Sequence, residues 1–120
     1  MVPASAANAL ERADESVDLL LDAGRSPGQV LVLTTGADHP WQQHELTFGA
    51  ERYWAQLGEA TDVFYANAAQ CRKARREVVV LAVNGGSAAD AGRALAAALD
   101  RATALVVVCG ERSDVPGLPS

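Results

Sequence analysis

The sequence predicts a three-layer α/β domain built on a mostly parallel sheet. Short, continuously apolar runs alternate with longer amphipathic segments along the 120 residues. Continuous apolarity is typical of strands that are covered on both faces, as in parallel sheets. Strands that alternate with helices predict one sheet with a helical layer on each side. The length predicts a single domain over residues 1–120, with residues 1–6 and 111–120 frayed.

The first half of the chain predicts two helices and one strand. Residues 5–23 place apolar side chains at helical spacing on one face and acids on the other, and Gly24 is suited to end that helix. Residues 29–35 (QVLVLTT) predict a buried strand between glycine-containing turns. A polar loop over residues 36–44 and a helix over residues 47–57 are expected to follow.

The second half predicts three further strands and one helix. Residues 62–66 form a short apolar run, and residues 77–83 (EVVVLAV) are the strongest strand candidate. Residues 87–90 (SAAD) match a capping box, in which a serine and an acid satisfy each other's backbone amides at a helix start. This helix is expected to end near Asp100, before a last strand over residues 104–109 (ALVVVC).

The charge is acidic overall and unevenly distributed. The net charge of −5 argues against a general nucleic-acid-binding surface, because phosphate contacts need a basic footprint. Residues 1–62 carry ten acids and three arginines, a balance of −7. The next segment instead concentrates four of the ten basic residues, namely Arg72, Lys73, Arg75 and Arg76. Two interpretations stay open: a solvated loop whose arginines pair with the acidic first helix, or a phosphate-binding loop.

The sequence lacks a phosphate-binding loop for nucleotide hydrolysis. Such a loop needs glycines followed by a lysine, and the only lysine, Lys73, follows Arg72 where the motif requires glycine. With neither Walker motif present, we expect no enzymatic activity from this domain alone. Asn84, Gly85, Gly86 and Ser87 follow a strand and open a helix. They are interpreted as a simple turn, with an anion site on their amides as the alternative.

The cysteines and histidines predict neither a disulfide nor a metal site. Cys71 and Cys109 have no metal-ligand or disulfide spacing, and Cys109 is expected to be buried. Neighbouring arginines would activate the Cys71 thiol only if it were exposed. His39 and His44 are interpreted as solvated loop residues rather than metal ligands. Without a recognisable leader peptide or membrane-spanning run, the expected location is the cytoplasm.

Three sequence blocks resemble a known helicase domain. Residues 30–36 (VLVLTTG), 62–83 (DVFYANAAQCRKARREVVVLAV) and 93–110 (RALAAALDRATALVVVCG) are similar to the C-terminal RecA-like domain of UvrD/Rep-type superfamily 1 helicases. The resemblance covers about residues 8–112. It implies half of a P-loop-NTPase-like motor without the P-loop, so ATP and Mg²⁺ would be involved only if a first motor domain paired with it.

The family motifs are degenerate in this chain. The middle block of the family carries a motif close to T-V-H-x-x-K-G-L-E, and here Arg72 stands at the lysine while Ala69 replaces the histidine. The last block carries a motif close to Y-V-A-L-T-R-A-R, and here Ala96 replaces the tyrosine. Arg101 is retained where the family places the arginine that reaches the γ-phosphate of ATP. The other interpretation of Arg101 is a cation that complements the end of its helix.

The resemblance implies a non-catalytic, helicase-derived domain, either a remnant or part of a larger protein. We expect it to act by binding a partner: a missing motor domain, another protein, or single-stranded DNA weakly through the four basic residues. Self-association through an apolar sheet edge is a further expectation. The alternative is an independent small domain that binds a nucleotide or anion at residues 84–87.

Overall fold

The computed structural model describes residues 2–60, 62–72 and 74–110, which form one α/β unit. The strands are β1 (Val2–Pro3), β2 (Val30–Thr34), β3 (Phe64–Asn67), β4 (Arg76–Ala82) and β5 (Ala102–Gly110). The helices are α1 (Ala9–Asp22), α2 (Pro40–Leu46), α3 (Ala50–Glu59) and α4 (Ala88–Arg101). The five strands lie in the order β1-β5-β4-β2-β3 and every pairing is parallel. The predicted three-layer α/β class is therefore confirmed and is consistent with a RecA-like arrangement.

Two apolar layers enclose the sheet. One face of β2 and β4 packs against α1, and the opposite face packs against α3 and α4. Neighbouring residues of one strand contribute to opposite layers, as Val30 and Leu31 do, and both are fully buried. Because side chains alternate between the faces of a strand, a strand covered on both sides must be apolar at every position. This arrangement explains the continuous apolar runs.

The loop predicted for residues 36–44 is wrong in its second half, where α2 forms. Proline is favourable at the first helical position, and Pro40 occupies it. The Nδ1 of His39 accepts a hydrogen bond from the Trp41 amide at 3.0 Å and so caps the helix. Gly49, with φ +106°, separates α2 from α3, so the predicted helix over residues 47–57 begins only at Ala50.

The amino-terminal segment differs from the predicted frayed end. Val2 and Pro3 form β1 beside the carboxyl end of β5, where Val2 lies opposite Cys109. The amide of Ala4 continues this pairing by donating to the Gly110 carbonyl at 3.2 Å. Pairing of so short a strand depends on a distant partner, which the local sequence does not reveal. Residues 111–120, which were also expected to be frayed, lie outside the described residues.

Candidate functional site

Three of the four predicted basic residues are described by the structure, and they lie in different environments. Arg72 and Arg75 lie in the connection between β3 and β4, which packs against the α3/α4 side of the sheet, whereas Arg76 is the first residue of β4. Arg72 and Arg75 are exposed, whereas Arg76 is only 2% exposed. Lys73 lies outside the described residues. The basic segment is therefore not one continuous exposed surface, and Arg72 with Arg75 form its exposed part.

Arg76 is buried and binds backbone carbonyl groups. Its Nη1 donates to the carbonyls of Val30 at 2.8 Å and Asp62 at 2.7 Å. Its Nη2 lies 3.5 Å from two carbonyls, those of Gln56 and Leu57, near the end of α3. Burial lowers the pKa of Arg76, and the charge of Asp62 partly opposes this shift. These contacts stabilise a buried cation within the fold, so the assignment of Arg76 to a phosphate-binding surface does not match its position.

Arg101 is also mostly buried and holds the basic connection in place. Its Nη2 donates to the Cys71 carbonyl at 2.9 Å, and its Nε lies 3.5 Å from the Arg72 carbonyl. Its Nη1 donates to the carbonyl of Ala97, one helical turn earlier, at 3.2 Å. With 9% of the residue exposed, Arg101 does not project into an open cleft in this structure. It instead fixes the path of the chain that presents Arg72.

Arg72 lies over an aromatic ring at the surface. Its guanidinium carbon is 4.7 Å from the centroid of the Trp54 indole, a cation–π distance. Trp54 is partly buried on α3 and packs against the core, so the ring is a fixed support. Neither the pairing with Trp54 nor its tertiary position follows from sequence spacing, because the two residues are eighteen positions apart. The contact leaves a positive group exposed beside an aromatic face.

Cys71 is not placed as a reactive thiol. The residue is 8% exposed, and burial raises the pKa of its thiol against the opposing effect of Arg101. Its Sγ donates to the Arg72 carbonyl at 3.3 Å. Cys109 is fully buried, as predicted, and burial raises its pKa as well. Thiolate chemistry requires a lowered pKa and access, and neither cysteine has both.

Asn84 uses its side chain to join two loops at the carboxyl edge of the sheet. Its Oδ1 accepts from the amides of Thr35 at 3.2 Å and Gly36 at 2.8 Å. Its Nδ2 donates to the Ala37 carbonyl at 2.9 Å. The side-chain amide of Asn84 therefore holds together the two loops that follow β2 and β4. It is not available to bind a ligand.

The start of α4 is occupied by a carboxylate of the protein itself. The predicted capping box is present: the Ser87 hydroxyl accepts from the Asp90 amide at 3.1 Å, and Asp90 Oδ2 accepts from the Ser87 amide at 3.0 Å. Arg93 pairs with the same carboxylate. The Ser87 amide is therefore taken, and the negative charge of Asp90 would repel an incoming anion. Gly85 and Gly86 lie just before this carboxylate, so the anion-site alternative at residues 84–87 is disfavoured.

The capping carboxylate gives a prediction for the pH dependence of stability. Hydrogen bonds from the amide and then the hydroxyl of Ser87, with Arg93, lower the pKa of Asp90. Because this native pKa lies below that of the unfolded chain, ionised Asp90 stabilises the native state above about pH 4. This contribution disappears as the pH falls through the native pKa. We expect Asp90→Asn to lose less stability than the wild type between pH 7 and about pH 3.

Urea unfolding at the two pH values measures this difference. Asp100→Asn removes an exposed acid from the other end of α4 and serves as the charge-matched control. If Asp90→Asn and the wild type lost the same free energy of unfolding on acidification, the capping role of Asp90 would be contradicted.

The interpretation of His39 as a solvated residue is wrong. His39 is 2% exposed and stacks on Tyr65 with 4.3 Å between ring centroids. Since Nδ1 accepts from a backbone amide, Nε2 carries a hydrogen and bonds Asp14 Oδ1 at 2.8 Å. His44 is exposed, as expected. Within the described ranges, no group of three or more histidine, cysteine or acidic side chains could hold a metal ion.

Neither the apolarity of the helices nor the comparison with known proteins indicates a function for this chain. In the part of the chain that the structure describes, none of the helices is both long and apolar enough to cross a bilayer. Neither protein-family models nor curated proteins match the chain. The helicase resemblance therefore rests on the three sequence blocks and their motif positions.

Proposed function

We propose that this chain is a non-catalytic domain of the helicase C-terminal type that binds the backbone of single-stranded nucleic acid weakly. The observation that carries the proposal is the exposed Arg72 guanidinium supported on the Trp54 ring. Arginine and aromatic groups together bind single strands without sequence preference, through phosphate contacts and base stacking. Arg75, which is also exposed, supplies a second positive charge on the same connection.

The position of Arg101 supports this proposal in a way that the motif alone did not suggest. By donating to the Cys71 carbonyl, Arg101 fixes the backbone immediately before Arg72. A fixed backbone reduces the conformational entropy that binding would otherwise remove. In this proposal Arg101 is a positioning residue. Contact with a nucleotide phosphate would require a partner motor domain and movement of the Arg101 side chain.

The proposed binding is weak because the whole chain is acidic. A net charge of −5 repels a polyanion at long range, and the two exposed arginines offset this only locally. With two phosphate contacts on a single strand, a plot of the logarithm of the binding constant against the logarithm of the salt concentration should have a slope of about −1.4. The affinity should therefore fall about sevenfold between roughly 50 and 200 mM salt. In the same proposal, a missing motor domain or another protein partner would supply the remaining affinity, and ATP with Mg²⁺ would enter only with that motor domain.

The test is fluorescence anisotropy with a labelled single-stranded oligonucleotide of about 15 nucleotides. We expect weak binding to the wild type at low salt, with the slope given above. Arg72→Gln should weaken binding and flatten the slope by about 0.7, the share of one phosphate contact. Arg12→Gln removes one positive charge from α1, on the other face of the sheet, and should leave both quantities close to wild type.

Two results would overturn the proposal. One is the absence of binding at low salt. The other is equal weakening by Arg72→Gln and Arg12→Gln, which would show that only net charge matters. Labelled ATP, titrated separately, distinguishes nucleotide binding by the domain itself from the proposed nucleic-acid contact.

A further inference from the structure

The outer edge of β5 is open along most of its length. β1 covers β5 only at Cys109 and Gly110, through the pairing of Val2 and Pro3. Among the described residues, no strand pairs with the outer side of residues 102–108. An open edge presents unpaired backbone N–H and C=O groups, which are a template for a further β-strand.

The direction of the backbone groups identifies which of them face outward. The Cys109 carbonyl accepts from the Val83 amide, next to β4, at 2.9 Å, whereas the Gly110 carbonyl accepts from the Ala4 amide on the other side at 3.2 Å. Because consecutive residues of a strand direct these groups to opposite sides, Val106 directs its N–H and C=O outward, as Gly110 does. A partner for Val106 must therefore be a backbone that supplies both a donor and an acceptor.

This edge has little of the protection that exposed edges usually carry. Natural edge strands are blocked by charged side chains, especially lysine, by proline or by bulges. Residues 102–110 (ATALVVVCG) contain neither a charge nor a proline. The register with β4 shifts between Ala102 and Leu105, as at a bulge, but residues 105–109 keep a regular register. Most of the edge is therefore suited to pairing with another strand.

Exposed leucines accompany the open edge. Leu105 belongs to β5 and is 42% exposed, and Leu19 and Leu99, on the two helices that pack against β5, are 69% and 61% exposed. Leu105 lies on the α1 side of the sheet, because Val107 and Cys109, at alternate positions, pack in that layer. Covering such apolar surface with a partner strand and its helices lowers the free energy.

A second copy of the chain fits this edge better than the remaining residues of the same chain. The ten residues that follow β5 include two prolines, which lack the N–H that a paired strand needs. An antiparallel second copy instead offers the same uncharged edge. Since β1 covers β5 at Cys109 and α4 ends at Arg101, the midpoint of the open stretch is Leu105. A two-fold axis there brings the two Leu105 side chains together.

We propose that the chain forms a two-fold symmetric dimer in which the open edges of two β5 strands pair antiparallel and continue the sheet from one copy into the other. The net charge of −5 on each copy opposes association. The edge of residues 102–108 is also smaller than the roughly 1,600 Å² interface of a stable complex. The dimer is therefore weak, with Kd about 10–100 µM.

The dimer proposal does not rest on the nucleic-acid proposal. β5 lies on the opposite side of the sheet from β3, and neither Arg72 nor Trp54 belongs to β5 or to the helices that pack against it. Loss of nucleic-acid binding and loss of dimerisation are therefore separate results.

The first test is sedimentation equilibrium of the full chain between about 5 µM and 1 mM, a range that includes the expected Kd. We expect the mean mass to rise from the monomer towards the dimer. Leu105→Lys places a cation opposite its own copy and should raise Kd at least about tenfold. Leu46→Lys is the matched control, because it makes the same change at a leucine of α2 that is 36% exposed. Its Kd should stay within about twofold of the wild type.

Hydrogen exchange of the wild-type chain, followed by NMR, locates the contact. The outward amide of Val106 gains a partner only in the dimer, so it should exchange about fourfold more slowly at roughly 1 mM than at roughly 20 µM. The amide of Val107 faces β4 in both states and should exchange at the same rate at both concentrations. This measurement needs no substitution, so it remains decisive if Leu105→Lys impairs folding.

Three outcomes contradict the proposal. A chain that stays monomeric up to about 1 mM does not pair through β5. Equal Kd values for Leu105→Lys and Leu46→Lys place the contact elsewhere or show a response to net charge alone. Protection of the Val106 amide that is the same at both concentrations shows that the chain itself covers this edge.

Discussion

Replacing Arg76 with methionine is expected to lower the free energy of unfolding by about 3 kcal/mol. Methionine retains much of the apolar stem but removes both guanidinium contacts of Nη1, with the carbonyls of Val30 and Asp62. Without the guanidinium, those two carbonyl oxygens would lack a charged donor. The free energy lost in this way is larger than the free energy gained because a cation is no longer buried. The carbonyls at the end of α3 would also lose a positive charge that complements the helix dipole.

Urea unfolding followed by far-ultraviolet circular dichroism measures this effect. Arg75→Met is the matched control, because it makes the same substitution at the adjacent exposed position and should change stability by less than about 0.5 kcal/mol. Arg76→Lys should fall between the wild type and Arg76→Met, since an ammonium keeps the charge but cannot reach both sets of carbonyls. A stability of Arg76→Met equal to that of Arg75→Met would contradict the structural role.

Gly36→Ala is expected to destabilise the domain by about 1–3 kcal/mol. A Cβ at this position would lie 2.8 Å from the Asn84 carbonyl oxygen and 3.0 Å from the Gly85 Cα. Both atoms belong to the backbone, so no side-chain rotation relieves the overlap. The β2 and β4 loops would have to separate, which would also strain the Asn84 hydrogen bond to the Gly36 amide.

Gly58→Ala is the control for this prediction, because it should change the free energy of unfolding in the opposite direction. Gly58 lies inside α3, and a Cβ there would meet nothing within 4 Å. Alanine is the better helix former, so this substitution should raise the free energy of unfolding by about 0.5–1 kcal/mol. Thermal unfolding of the two variants and the wild type measures whether each substitution lowers or raises the stability. A stabilising Gly36→Ala would show that the two loops are not in close contact.

Much of the fold could be predicted because the signals are local. The β2 and β4 runs are apolar at every position, and Gly24 adopts φ +99° just after α1 as its place in the sequence predicts. The capping box at Ser87 and Asp90 needs only residues three apart. The additional helix α2 was missed because histidine is an unusual N-cap and the segment is short.

The candidate sites could be predicted only in part, because burial is not a property of neighbouring residues. Arg72, Arg75 and Arg76 are alike in the sequence, yet two are exposed and one is buried beneath the end of α3. The support of Arg72 by Trp54 joins two separate elements.

The sequence by itself therefore determined the α/β class, the succession of strands and helices apart from β1 and α2, and the caps that follow from residue type. The tertiary structure alone decided the strand order, the pairing of Val2 with β5 and the separate roles of the clustered arginines. The physical reason is the range of the interactions. Periodicity and capping act over a few residues, whereas strand pairing and desolvation depend on residues far apart in the chain.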